Sequence, residues 1–598
     1  SLVEVRGNRG DGVHVNTTGA LLMDNTDISD HPRGTGLTVT NASPTSEIDG
    51  NLIAGAAVVA RLAPHVVDPV THGNELRDTD RGIVVFSGTL SSQAVWPSLG
   101  IEYVVAGSAD ITIGNGAHLT LEAGTVVKMP PVRDWNNDSD WVVNGRLDLV
   151  GTPEDPIVFT SLWDDDFGGD TNGDGVDTAP AAGDWGRIAF SGGATGTVQH
   201  VSILYGGGGN DGNCCAGERA GGAALSINAA VSPAIDDVTV LKSRSTGIAF
   251  NVNGGEAWST SNLTIRNNMG VGLTIGGGNA TVTVSTSEIG NNDSDGVTVS
   301  TTGDVVFNEN RVSGNGRHGL SVSTTGGLSA AQNVFSDHFE GIGLVVTGAD
   351  YGASVIAGNT IVGNQRPIRT FPNLVETTVR NNDVRDVNRG VQVDGGTLNI
   401  ETTWPATTPY VLTGSLNIAA EGHLTLEGGV LLKLATARDW RDDLDIDVHG
   451  GLTTQGDDGV VRITAVNHDL GGDTNGDGVA SLPAPGDWGR ISARAGSTLE
   501  LAGTEISYGG GGNDGNCCAG TRPTDAILSI GGGEASVRNT FIHHSAADGI
   551  RITGGAGRLA ANELTDNVAR GLRVSAAVCA AWEIAVQLLL RNGEANFG

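Results

Sequence analysis

The chain is poor in several things. Lysine occurs only at positions 128, 242 and 433, so nearly all positive charge is arginine. Aromatics make up 4% of 598 residues, and there are 18 prolines and five cysteines. So few prolines exclude a Gly/Pro low-complexity coil, and no strict Gly-X-Y period supports collagen. Five cysteines cannot frame so long a chain with disulfides. No run is long and apolar enough for a membrane span. Basic charge is scarce too. Against 34 Lys and Arg stand 68 Asp and Glu, a formal charge of −34. Such a surface repels phosphate backbones and anionic lipid, which argues against nucleic-acid and polybasic membrane roles and makes cations the expected partners.

Glycine is plentiful, with 92 residues. One phrase recurs: a polar turn, a glycine, then apolar residues alternating with polar ones. It appears at Gly247-Ile248, Gly272-Leu273, Gly296-Val297, Gly319-Leu320 and Gly341-Ile342, at spacings of 25, 24, 23 and 22 residues. Short β-branched runs between Gly/Asn/Asp/Ser turns predict strands of ~4–6 residues. Helical periodicity is nearly absent. A period of this length built from short strands predicts a solenoid, each coil burying its inner face against its neighbours.

A longer repeat overlies the short one. Arg81-Gly82 to Trp96-Pro97 matches Arg389-Gly390 to Trp404-Pro405 at an offset of 308, and Gly168–Gly175 recurs identically at Gly471–Gly478, an offset of 303. The N-terminal segment reads as the tail of another copy: Gly12 matches Gly296 at offset 284, and Pro64 matches Pro372 at 308. The jump of 24 residues is one coil, a deletion that a solenoid tolerates and a sandwich does not. Propeller blades of ~40–45 residues need four strands each, more than this period holds. The expected organisation is 1–80, the tail of a super-repeat; 81–388, a complete one; 389–575, a truncated one; and 576–598, a helical cap or foreign tail. Together they predict one rod, roughly 100 Å long for some twenty coils at ~4.8 Å, cut from a longer array.

Gly358-Asn359-Thr360-Ile361, the run Leu119–Val127, Gly151-Thr152-Pro153, Ile157–Ser161 and Gly183-Asp184-Trp185-Gly186 resemble secreted bacterial right-handed parallel β-helix repeat proteins of the pectate-lyase-like superfamily. The resemblance covers residues 1–575. It implies an all-β, right-handed parallel β-helix with long inserted loops, in a secreted or cell-surface setting. That scaffold carries lyases, epimerases, tailspikes and inert stalks alike, so function must come from sites.

The sharpest motif is Asp170-Thr-Asn172-Gly-Asp174-Gly175, repeated as Asp473-Thr-Asn475-Gly-Asp477-Gly478. Oxygen side chains at alternate positions before a turn glycine resemble the first half of an EF-hand or dockerin calcium loop. Position 12 is Ala181 or Ala484, so the nearest shared acid is Asp184 (Asp487), with Asp166 and Asp469 as further contributors. The expected ligand is Ca²⁺, pinning a long loop; the alternative is a solvated Asx-rich turn. Magnesium suits an all-protein loop less well.

Tyr205–Gly217 recurs identically at Tyr508–Gly520 and contains Cys214-Cys215 and Cys517-Cys518. A vicinal disulfide within each pair is expected; free thiols, a metal site or a bridge to another chain remain alternatives. Asp134, Asp138 and Asp140 recur as Asp439, Asp443 and Asp445. They suit structural or metal roles better than the paired-carboxylate hydrolysis of glycosides. Arg187 and Arg490 are the best-placed basic candidates for a lyase. Trp135, Trp185, Trp440 and Trp488 could stack on sugars or cap the apolar interior, the latter preferred. Val578, Trp582, Ala585, Val586 and Leu589 follow helical spacing, which predicts a short terminal helix over the last coil. The reading that follows is a non-catalytic, calcium-stabilised extracellular stalk, adhesin or fibre subunit. Its rivals are a polysaccharide lyase or hydrolase and a glycan-binding module, and its expected partners are extracellular polysaccharide or copies of itself.

Overall fold

Alternating apolar residues at a 23–24-residue period can be buried only if each coil lies directly on the next. The computed structural model, which describes residues 3–131, 139–209, 219–220, 222–231, 233–252, 255, 257–386, 389–436, 444–512, 522–523, 526–575, 581–584 and 589–590, has this arrangement. The fold is an all-β, right-handed parallel β-helix, with two five-residue α-helices among the described residues, Val67–Thr71 and Val375–Val379. The chain divides into two compact units, residues 1–334 and 335–598.

In the first unit each coil contributes three short strands to three parallel faces. Leu273 pairs with Val297 and Val297 with Leu320. On the second face Val282 pairs with Val305 and Val305 with Leu328. On the third, Ile265 pairs with Ile289 and Ile289 with Val312. Like therefore sits on like, and all nine side chains are buried. The turn chemistry explains the Asn-rich phrase. Asn267 and Asn291 take left-handed φ angles of 58° and 53°, and Gly314 takes 66° in the equivalent place. Asn tolerates that region and Gly has no penalty there. The residue after each turns inward. The Asn268 amide donates to Asn292 Oδ1 at 2.8 Å, and Asn292 to Asn315 Oδ1 at 2.9 Å. All three are buried, so the ladder satisfies polar groups that water cannot reach. Asn292→Ala removes the acceptor shared by the Asn268 backbone N–H and side-chain amide and is expected to cost about 1–3 kcal/mol. The check is a lower urea midpoint at an unchanged slope; an unmoved midpoint would count against the ladder as a stabilising element.

The second unit repeats the plan. Seven-stranded faces run from Gly396–Leu398 to Leu572–Val574 and from Glu401–Trp404 to Trp582–Ile584. A third runs through Leu431–Leu434, Val461–Ala465, Thr504–Ser507 and Phe541–His543. Among the described residues of the tail, strands stand where a helix was expected, while Val578, Ala585 and Val586 lie outside the described residues. Trp582–Ile584 forms a strand paired with Gly557–Leu559, and Leu589–Leu590 pairs with Glu563–Leu564. The Trp582 indole donates to Gly555 O at 3.1 Å and lies largely buried. A free coil edge offers a whole ladder of hydrogen bonds, and that outweighs helical spacing in a short apolar segment.

Candidate metal centre

In unit 1 residues 162–187 leave the coil between strands Ile157–Ser161 and Ile188–Gly192. A line of aromatics ends at Trp185 in this loop. Trp96, Trp141, Phe159 and Trp185 follow one another through the core, with ring centroids 5.6, 5.0 and 6.4 Å apart. Beneath the loop, Lys128 lies on a strand beside Thr160 and has no exposed surface. Its ammonium donates to the carbonyl of Gly169.

The loop winds around Asp170. Oδ1 accepts the backbone N–H groups of Gly173 (2.7 Å) and Asp174 (3.1 Å), and Oδ2 accepts that of Gly175 (2.8 Å). Gly173 and Gly175 both have φ of 74°, which explains the glycines of the motif. The Gly175 bond, with its two companions, holds the Asp170 carboxyl below the usual carboxylate range. Asp165, Asp170 and Asp174 each bring an oxygen within 4.8 Å of the others. Two oxygens at this cluster, Oδ1 of Asp165 and Oδ1 of Asp174, are buried with no protein partner. Burial, then repulsion from Asp170, pushes the Asp165 carboxyl up. Convergent carboxylates with orphaned oxygens fit a hard cation such as Ca²⁺.

Unit 2 builds the same loop. Asp473 accepts from Gly476 (2.6 Å), Asp477 (3.1 Å) and Gly478 (3.0 Å). Lys433, fully buried, donates to Gly472 O at 3.1 Å and Thr474 Oγ1 at 3.0 Å. Burial pushes this ammonium down to about 8.

The strand register brings a different acid, Asp165, into the place that matches Asp469. Lys128 pairs with Thr160 and Lys433 with Thr464. Each threonine hydroxyl bonds the side chain four residues on, Asp164 and His468. The next residue is thus Asp165 in one unit and Asp469 in the other, and both leave a buried Oδ1 unpartnered. Asp166 is exposed and is not one of the three clustered carboxylates. Asp184 and Asp487 are engaged at the loop's base. Asp184 Oδ2 accepts from Ser161 Oγ (2.7 Å) and the Ala181 N–H (2.9 Å), and Asp487 Oδ2 from the Ala484 N–H (2.9 Å). Asn172 donates to Asp174 Oδ2 at 2.8 Å and Asn475 to Ser481 Oγ at 2.9 Å, so both brace the turn.

Arg187 and Arg490 are tied down alike. Asp140 Oδ1 accepts the Arg187 backbone N–H at 2.9 Å while its Oδ2 lies 3.1 Å from Nε. Asp445 holds Arg490 through the same N–H (2.9 Å) and a 3.4 Å ion pair. Stacking of Trp185 and Trp488 on sugars is corrected. They are 0% and 1% exposed, and their Nε1 atoms donate to Leu204 O (2.7 Å) and Ser507 O (2.8 Å). A ring without exposed surface has no face for a glycan. Trp135, Trp440, Asp134, Asp138, Asp439, Asp443, Cys214, Cys215, Cys517 and Cys518 lie outside the described residues. Sequence reasoning missed Asp165 and the two buried lysines. The lysine signal was present, since two of only three lysines fall at equivalent places in the long repeat.

The family model described as "Right handed beta helix region" matches residues 223–403. No curated protein matches. Among solved structures, the crystal structure of the Agl-KA catalytic domain is similar at 11% identity and a TM-score of 0.16, over 85% of this chain and 62% of that one. A similarity that low carries no argument about activity. The matched region and the coil-on-coil register agree, and the chain is a β-helix repeat protein.

Proposed function

We propose that the chain is a non-catalytic, calcium-stabilised β-helical segment of an extracellular stalk, adhesin or fibre. One observation carries this reading: the loop wound on Asp170 or Asp473 and seated on a buried lysine is built twice, once per unit. A catalytic centre needs a reactive group presented to substrate; here the candidate arginines are each bound by an aspartate in the same way. Asp165, Asp170 and Asp174, the group of acids that converges among the described residues, would hold Ca²⁺ in unit 1, and Asp469, Asp473 and Asp477 would draw together around it at the matching places of unit 2. The cation would supply charge compensation that keeps the loop against the coil. A secreted or cell-surface location follows from this reading, since calcium is abundant there.

The test is incubation with acidic polysaccharides, followed by assays for unsaturated ends and reducing sugars. No turnover is expected, and Arg187→Ala should cost about 1 kcal/mol or less, as for other half-exposed ion pairs. Turnover abolished by that substitution would establish the lyase reading in its place.

A further inference from the structure

The loop wound on its aspartate occurs in both units, whereas one side-chain cluster of unit 2 has no counterpart in unit 1. On the third face of unit 2, Arg462 pairs in register with Glu505, and Glu505 with Phe541, two residues before His543. The matching register in unit 1 runs from Val158 to Ser202 and on to Thr239. Position by position, Val158, Ser202, Leu241 and Lys242 are replaced by Arg462, Glu505, His543 and His544. A strip with a single cation, Lys242, at its end has become a connected chain of charged and imidazole groups.

The four groups are connected. Arg462 Nε donates to Glu505 Oε2 at 2.9 Å, and Glu505 Oε1 lies 3.3 Å from His543 Nε2. His543 Nδ1 faces His544 Nδ1 at 2.6 Å. The rings are held by aromatics: Phe541 stacks on His543 at 4.2 Å, and the Tyr508 ring lies 5.2 Å from His544 and 6.0 Å from His543. His543 is 8% exposed.

We propose that His543 and His544 form a binding site for a divalent transition-metal ion such as Zn²⁺. Glu505 is an acceptor, so the hydrogen it shares with His543 belongs on Nε2, which leaves the Nδ1 lone pair pointing at His544. A carboxylate behind a ligating imidazole fixes the tautomer and raises the ring's basicity, as in carboxylate–histidine–zinc arrangements. Two nitrogens on one tetrahedral ion at ~2.0–2.1 Å each lie about 3.3 Å apart. The observed 2.6 Å therefore needs an opening of under ~1 Å, which converts an N–H···N contact into chelation. Imidazole donors select zinc-like ions over calcium, so this site is chemically separate from the aspartate loops.

The test titrates the metal-stripped chain with Co²⁺ in excess Ca²⁺ and follows the visible spectrum, with Zn²⁺ as competitor. The expected spectrum has nitrogen- and oxygen-ligated d–d bands that Zn²⁺ abolishes. His544→Asn should weaken binding at least about tenfold. Asn tolerates the left-handed backbone here, where φ is 53°. An unchanged melting temperature in metal-free buffer shows that the variant folds. A thiolate charge-transfer band, an unchanged affinity in His544→Asn, or no binding at millimolar Co²⁺ would each overturn the proposal.

Discussion

Removing calcium is expected to lower the melting temperature of the chain by about 5 °C or more and to open the loop between Asp170 and Asp184 to protease. The magnitude follows from linkage: a ligand at ~100 times its dissociation constant stabilises the folded state by about 2.7 kcal/mol. For domains of 150–250 residues each kcal/mol moves the transition by ~2–4 °C, and larger units respond at the lower end. The loop is the part that should respond first. Without a cation, Oδ1 of Asp165 and Oδ1 of Asp174 remain buried without partners, and neighbouring carboxylates repel across the cluster. Readdition of Ca²⁺ should restore both signals, and Mg²⁺ should restore less, because it demands stricter geometry and gives up water reluctantly. Asp170→Ala removes the acceptor of three backbone N–H groups as well as a proposed ligand, and should abolish the calcium response of the loop between Asp170 and Asp184 while the Asp473 loop keeps its own. No change in melting temperature or cleavage on chelation would remove calcium from the proposal. The β-helix itself would stand, since its coils are held by strand pairing and ladders such as Asn268–Asn292–Asn315.

The coil was legible because its determinants are local and periodic. Gly272, Gly296 and Gly319 mark one turn, and the apolar residue that follows each falls into register with the next. The Asp170 loop was legible for the same reason, its acceptor and glycines lying within six residues. The acid before it, Asp165, was not. A constant offset of 303 pairs Asp166 with Asp469, whereas the strands beneath pair Thr160 with Thr464, one residue out of step. A single-residue difference in loop length is invisible in sequence when three aspartates stand in a row. The burial of Lys128 and Lys433 was hidden too, because their partners are backbone carbonyls some forty residues away. Trp582 misled differently: spacing in a short apolar stretch suits helix and strand alike, and only the unpaired coil edge decides between them.

Lys433 supplies the second large effect, one read from pH. Its ammonium ordinarily titrates near 10.5, and burial brings it down to about 8, against the opposing pull of Asp469 and Asp473. Between these values the unfolded chain still binds a proton that the folded chain has released. Stability must therefore rise with pH across that window, because the unfolded state holds more protons. A shift of this size corresponds to about 3 kcal/mol at 1.36 kcal/mol per unit, discounted to roughly 2 kcal/mol for solvent screening around the loop. Lys433→Met keeps the apolar stem and volume but has nothing to titrate. The expected result is that wild type gains about 2 kcal/mol on the variant between pH 7.5 and 10, both measured by denaturant midpoint in chelator. Other titrating groups are common to both chains and cancel in the difference, apart from His468, which burial and then Lys433 push down and which is neutral throughout this range. A difference that stays flat with pH would mean that the ammonium keeps its ordinary affinity for protons beneath the loop. Lys433 would then be a solvated neighbour of Asp469 and Asp473, and the loop of unit 2 would rest on Asp473 and its three N–H groups alone.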